Sequence, residues 1–110
     1  MKNLKEITRQ EYQRRLRVVL DFISENLDTP ISLEELAKMA CFSPWHFHRI
    51  FSGMTGETLK SHIRRLRLER AAGRLKYGSM SVIQIALEAG FDSHEAFTRA
   101  FGTAFGVSPT

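Results

Sequence analysis

At 110 residues, with sixteen lysines and arginines against twelve aspartates and glutamates, the chain carries a formal charge of +4 and has room for one or two small domains, not a large core. The basic balance suits a polyanionic partner without establishing one. The single Cys41 excludes an internal disulfide, and the absence of a signal-peptide h-region or of an apolar run of membrane-spanning length reads as a soluble, cytoplasmic protein with no membrane partner.

Residues 1–10 read as a polar segment expected to fray. From Glu11 to Asn26, Leu16, Val19, Leu20 and Ile23, followed by Leu27, recur at the spacing of one helix face, which predicts an amphipathic helix. Asp28-Thr29-Pro30 ends it, because proline cannot continue a helix and restrains the residue before it. Ser32-Leu33-Glu34-Glu35 has capping-box spacing and opens a helix carrying Leu33, Leu36, Ala37 and Ala40 on one side. Ser43-Pro44 starts the next, serine as N-cap and proline at the first helical position. With Gly53-Met54-Thr55-Gly56 as its close, a first lobe covers 11–56, its helix-turn-helix motif at about 32–54.

A connector at 57–77 follows, a long helix from about Thr58 to Lys76 with Leu59, Ile63, Leu66, Ala71 and Leu75 among basic residues. Tyr77-Gly78-Ser79-Met80 breaks it. Ser81-Val82-Ile83-Gln84 offers a second capping box before Ile85, Ala86 and Ala89, and Gly90 suits the turn because it tolerates positive φ. Asp92-Ser93-His94-Glu95 gives a third capping signature, and Gly106 to Pro109 closes a second lobe over 78–110, motif at about 81–104. No strand-like alternation occurs. The predicted fold class is all-α: two helix-turn-helix lobes joined by a long connector helix, a homeodomain-like pair.

The two lobes repeat one another. Ala37-Lys38-Met39-Ala40-Cys41-Phe42, followed by Phe47, Arg49 and Phe51, recurs as Ala86-Leu87-Glu88-Ala89-Gly90-Phe91, followed by Phe97, Arg99 and Phe101, at an offset of 49 up to the aromatic and 50 beyond it. One residue has been added in the second connection. A repeated helix-turn-helix on a basic chain with no catalytic constellation points to a reader of double-stranded DNA in two successive places.

At about 100° per residue, Phe47, Ile50, Phe51 and Met54 fall on one side of the first reading helix and Trp45, His48, Arg49 and Ser52 on the other. In the second, Phe97, Ala100, Phe101 and Ala104 fall inside and Glu95, Thr98, Arg99 and Gly102 outside. Arg49 and Arg99 can donate a hydrogen-bond fork to guanine O6 and N7, while His48 and Thr98 can bond base edges or phosphate. The Trp45 indole offers an apolar surface for a thymine methyl and an N–H donor. Each has a plainer reading: solvated helix arginines, a packed tryptophan, and a Glu95 that forms a capping box with Asp92 instead of accepting from a cytosine amino group. Cys41 likewise has two: a strained residue at positive φ like Gly90, or a small buried hydrophobe in a different turn.

The connector holds Lys60, Arg64, Arg65, Arg67, Arg70, Arg74 and Lys76 against Glu57 and Glu69, some of them candidate phosphate contacts and others a wet face. Residues 36–56 contain no aspartate or glutamate, so the first lobe repels DNA least. An enzyme is the poorer reading. His46 and His48 diverge by about 200° on a helix, Cys41 has no sulfur partner, and no nucleophile is paired with a base, so no catalytic residue, metal or cofactor is expected. The alternative is a helical protein-interaction module using the lobes without DNA, which predicts an exposed apolar patch.

These residues resemble the DNA-binding domain of the AraC/XylS family of bacterial transcription regulators, over about Leu16 to Pro109. The resemblance rests on Leu33-x-x-Leu36-Ala37 with Phe42-Ser43-Pro44-x-x-Phe47-x-Arg49-x-Phe51, on Ile63-Arg64-Arg65-Leu66-Arg67-Leu68-Glu69-Arg70-Ala71, and on Ile85-Ala86-x-x-x-Gly90-Phe91-x-Ser93-x-x-x-Phe97-x-Arg99-x-Phe101 with Gly106-Val107-Ser108-Pro109. It implies two lobes inserted into adjacent major-groove segments of promoter DNA, with Trp45, His48 and Arg49, and His94, Glu95, Thr98 and Arg99, at base-facing positions. Ser43, Arg64, Arg65, Arg67 and Ser93 are then the DNA-backbone contacts, and RNA polymerase a further partner. The stretch Trp45 to Phe51 and the connector are most similar to members followed by a GyrI-like effector-binding domain, which would lie C-terminal to this segment. Three positions depart from the pattern: Cys41 stands where many relatives have Gly, Gly102 where they often carry a basic residue, and the chain stops at Thr110, before an aromatic and an arginine that relatives carry, as in an excised domain.

Overall fold

The computed structural model describes residues 4–110, and among them the regular elements are all helices. They are α1 (Leu4–Glu25), α2 (Leu33–Met39), α3 (Pro44–Thr55), α4 (Leu59–Tyr77), α5 (Val82–Glu88) and α6 (His94–Phe105). None of the described helices is long and apolar enough to cross a membrane. The chain divides into two compact units, one ending at His62 and the other beginning at Ile63, so the division falls inside α4.

The segment expected to fray is helical from Leu4, while residues 1–3 lie outside the described part. Extending an existing helix fixes one residue per added hydrogen bond, and lysine, glutamate, glutamine and arginine are good helix formers, so a polar sequence suffices.

In the first unit, Leu16, Val19 and Ile23 of α1 are buried together with Leu27, Leu36, Ala37, Ala40, Phe47 and Phe51. α1 contacts α2, and α2 contacts α3. Complete burial of the two phenylalanines is worth roughly 1.5–3 kcal/mol each. Ser32 caps α2 by accepting from Glu35 N–H at 3.3 Å. Its own hydroxyl donates to Glu34 Oε2 at 3.0 Å, so the carboxylate it meets is Glu34, not the Glu35 that capping-box spacing suggested. Ser43 caps α3 by accepting from His46 N–H at 3.2 Å, with Pro44 in the first turn where no N–H is needed. At the start of α4, Thr58 Oγ1 accepts from Ser61 N–H at 3.1 Å. His62 packs edge-on against Phe51 and donates from Nδ1 to Glu57 Oε1 at 2.8 Å.

In the second unit, Leu68 and Ala71 of α4, Ile85, Ala86 and Ala89 around α5, and Phe97 and Phe101 of α6 form one apolar cluster. Ser81 and Gln84 form the full capping box: Ser81 Oγ accepts from Gln84 N–H at 3.3 Å while Ser81 N–H donates to Gln84 Oε1 at 3.0 Å. The box expected between Asp92 and Glu95 is absent. Ser93 takes the N-cap instead, accepting from Ala96 N–H at 3.1 Å, which leaves Asp92 outside the helix and Glu95 exposed in its first turn.

The inner stripes of the two wheels hold over the first two turns and fail in the last, and on the outer faces Ser52 and Thr98 are half-buried with their hydroxyls out of solvent. Phe47, Phe51, Phe97 and Phe101 are buried and Ile50 and Ala100 half-buried, but Met54 and Ala104 are exposed. Each lobe is too small to offer the final turn of its reading helix a surface to pack on. Both helices stop at left-handed glycines, Gly56 and Gly106.

Candidate nucleic-acid interface

Each reading helix is positioned by the turn before it. After α2, Cys41 N–H donates to Lys38 C=O at 3.1 Å and Phe42 N–H to Ala37 C=O at 2.9 Å. After α5, Gly90 N–H donates to Leu87 C=O at 3.0 Å and Phe91 N–H to Ala86 C=O at 3.1 Å. Both patterns are Schellman motifs, which require a left-handed residue just past the C-cap and bring the following side chain back onto the helix. Gly90 supplies φ 90 and Cys41 φ 62. Cys41 is therefore the strained residue that the repeat suggested, and it is exposed, so the reading as a small buried hydrophobe does not hold.

The aromatic after each turn carries a guanidinium. Arg15 of α1 lies 5.3 Å from the Phe42 ring centroid, and Arg64 of α4 lies 5.5 Å from that of Phe91. Phe42 also meets Tyr12 and His46 edge-on at 5.0 Å each, so His46 is a packing residue on the flank of α3.

On α3, Trp45 is 69% exposed, which sets aside its reading as a packed residue. His48 and Arg49 are exposed beside it. The Arg49 guanidinium sits 5.0 Å from the indole centroid, a contact worth roughly 0.5–1 kcal/mol at an exposed site. Such a contact uses the face of the guanidinium and does not consume its in-plane N–H donors. The face opposite is closed by Phe47 and Phe51.

On α6, His94, Glu95 and Arg99 are exposed opposite buried Phe97 and Phe101. Thr98 differs from its counterpart His48. It is half-buried, and its Oγ1 has neither solvent contact nor a hydrogen-bond partner, so a change of rotamer must precede any bond to a base edge. Ser43 and Ser93 each use an acceptor lone pair on the helix N-terminus, which leaves the O–H as a donor.

Of the α4 arginines, Arg65 is exposed and pairs with Glu69 at 3.1 Å, an exposed pair of little energetic weight. Arg67 is half-buried, its Nη1 close to the Gly90 turn. Farther along, Arg70 Nη2 donates to Glu88 C=O at 3.3 Å and Arg74 pairs with the Glu88 carboxylate. These two are tied to α5 within the second unit.

Two short-turned helix pairs, each ending in a helix with a buried phenylalanine pair and an exposed arginine opposite, define a double helix-turn-helix protein. Residues 36–110 match the family described as "Helix-turn-helix domain". The chain belongs to that family, in its AraC/XylS branch. It is 39% identical over 102 residues to the transposon Tn10 TetD protein of Escherichia coli, a match covering 93% of this chain and 74% of that one. A transcriptional regulator with an AraC-type DNA-binding domain from Chromobacterium violaceum superposes with a TM-score of 0.82 at 28% identity, covering 88% of this chain and 87% of that one. The DNA-binding domain of AdpA, a global transcriptional factor solved with a target DNA, gives 0.76 at 29% identity over 86% of each chain. Against several other curated relatives the chain spans only 32% of their length.

Proposed function

We propose that the chain is a sequence-specific double-stranded DNA-binding transcription regulator that presents α3 and α6 to successive major-groove segments. The observation that carries this reading is the pair Arg49 and Arg99, exposed at equivalent positions opposite buried Phe47/Phe51 and Phe97/Phe101. Trp45, His48 and Arg49 read bases from α3; His94, Glu95, Thr98 and Arg99 do so from α6, Thr98 after a rotamer change. Ser43, Arg64, Arg65, Arg67 and Ser93 contact the backbone. Such readers recognise guanine by a two-donor fork and hold register through phosphates that carry no sequence information.

The wider reading is of a bacterial cytoplasmic, non-catalytic protein acting at promoters together with RNA polymerase. An effector-binding domain C-terminal to this segment is supported by the likeness of Trp45–Phe51 and the connector to family members that carry one. The exposed apolar pair Ile83 and Leu87 on α5 is the feature that a protein-interaction module without DNA would use.

Selection from a randomised duplex library followed by footprinting tests the reading. Two unlike readers in one chain predict a non-palindromic site of roughly two helical turns, about 20 base pairs. Binding that is insensitive to salt, or a single short protected segment, overturns it.

A further inference from the structure

We infer that Arg15 is a DNA-phosphate contact of the first unit, the counterpart there of Arg64 in the second; this rests on the DNA-reading function proposed above. The repeat extends farther back than the helix-turn-helix motifs. At the same offset of 49, Arg15 of α1 corresponds to Arg64 of α4, Val19 to Leu68, and Phe42 to Phe91. Val19 and Leu68 are both buried, so α1 and the second half of α4 serve their units as equivalent helices. Each unit thus places one arginine of its leading helix over the aromatic that closes the Schellman turn, at 5.3 Å and 5.5 Å.

The chemistry of that contact suits a phosphate. A guanidinium lying on a ring uses its face, and its N–H donors lie in the plane, directed away from the ring edge, where they match two phosphate oxygens. Arg15 Nε donates to Glu11 Oε1 at 3.2 Å, which steers the group and leaves its terminal nitrogens as donors. The same carboxylate is chelated by Arg14, at 3.1 Å from Nε and 2.5 Å from Nη2, and the two arginines hold Glu11 below its ordinary pKa, so it stays ionised as their shared counter-ion.

Position supplies the remaining step. Phe42 and Phe91 stand immediately before the stretches that open the reading helices, and Trp45 follows Phe42 by three residues. An arginine fixed on that ring sits beside the end of the helix that carries the proposed base readers. Outside the Arg49/Arg99 pair, the proposed base readers of the two helices have diverged, Trp45 against Glu95 and His48 against Thr98, whereas the ring-mounted arginine is kept in both units. A group that serves any sequence has no reason to diverge, and a phosphate contact is such a group.

The rival role is packing alone, with the arginine stem shielding Phe42. Fluorescence anisotropy of the full chain on a random-sequence duplex and on library-selected duplexes, over a range of salt, separates the two. Arg15→Met keeps an apolar stem on the ring and removes the charge. The expected result is a loss of roughly three- to tenfold on both kinds of duplex, with the salt slope smaller by about 0.9. Arg15→Lys restores the slope. Arg15→Gln gives the same reading should Arg15→Met fail to fold by circular dichroism. Unchanged affinity and slope for the uncharged variant, or lost affinity with an unchanged slope, overturns the inference. Arg49→Ala in the same assay keeps the two levels apart. If it loses selected sites while Arg15→Met changes nothing, the inference fails and the function stands; if the unmodified chain shows no salt-sensitive binding, both fail.

Discussion

Replacing Cys41 by glycine should leave the first unit as stable as before or slightly more so. Cys41 holds φ 62 at the position of the Schellman motif where Gly90 holds φ 90 in the second unit. An L-residue in the left-handed region pays roughly 1–2 kcal/mol relative to its preferred conformation. The Cys41 side chain is exposed, so glycine removes little packing. Glycine's larger unfolded-state entropy takes back about 0.4–1 kcal/mol. The net expectation is a gain of about 0.5–1 kcal/mol, a few degrees in thermal midpoint for a domain of this size. Two further variants isolate the backbone term. Cys41→Ala keeps a Cβ at positive φ and should change stability little. Gly90→Ala introduces one at φ 90, where the Cβ would meet Arg67 Nη1 at an unstrained 3.5 Å, so its cost is conformational. That cost should be about 0.5–1.5 kcal/mol after the same entropy correction. Urea unfolding followed by circular dichroism reads all three. A loss of stability for Cys41→Gly together with no loss for Gly90→Ala would refute the reasoning, because the side chain and not the backbone would then be what this turn depends on.

Arg49→Ala and Arg99→Ala should each cost roughly 1–3 kcal/mol at a library-selected site and relax preference at one base position; equal losses on selected and random duplexes would mark them as phosphate contacts instead. Phe47→Ala and Phe97→Ala, both at fully buried positions, should each cost roughly 3–5 kcal/mol in urea unfolding, and a change under about 1 kcal/mol would deny them their place in the cores. Gly78→Ala would place a Cβ 2.7 Å from the Arg74 carbonyl oxygen, so the end of α4 must shift, at a cost of about 1–3 kcal/mol. An unchanged midpoint for that variant would show that the chain leaves α4 by another path.

What the sequence revealed follows from what is local. The helices rest on apolar spacing and their starts on Ser32, Ser43 and Ser81, all signals within a few residues of one another, while the strained turn at Cys41 was legible because the internal repeat aligns it with Gly90. Contacts between elements were harder to see. The buried hydroxyl of Thr98 depends on a rotamer, which a helical wheel does not contain. The exposure of Met54 and Ala104 depends on where the core stops, not on the angle at which each residue leaves the helix. Asp92 competed with Ser93 for one N-cap, and both carry suitable oxygens, so spacing alone could not choose between them. Arg15 does carry a signal in the sequence, since the offset of 49, extended back from Ala37, aligns it with Arg64.

The division between constant and variable positions also bears on how the two reading helices differ in work. Ser43 and Ser93, Phe47 and Phe97, Phe51 and Phe101, Arg49 and Arg99, and Gly56 and Gly106 recur at an offset of 50, and they are the cap, the core, the arginine and the stop of each helix. Four residues before the arginine, the helices part. Arg49 lies on the Trp45 ring, whereas Arg99 has Glu95 at that position. An arginine already ordered by a ring loses less side-chain freedom on binding, and α3 has no acidic residue in its first turn to oppose a phosphate. In the proposed complex α6 would bring the exposed Glu95 carboxylate toward the DNA and would have to turn the buried Thr98 hydroxyl outward before using it. In the proposed complex α3 is therefore the preordered, affinity-giving reader. The role left to α6 is selection: a carboxylate is tolerated against DNA where it accepts from a cytosine amino group, and penalised elsewhere.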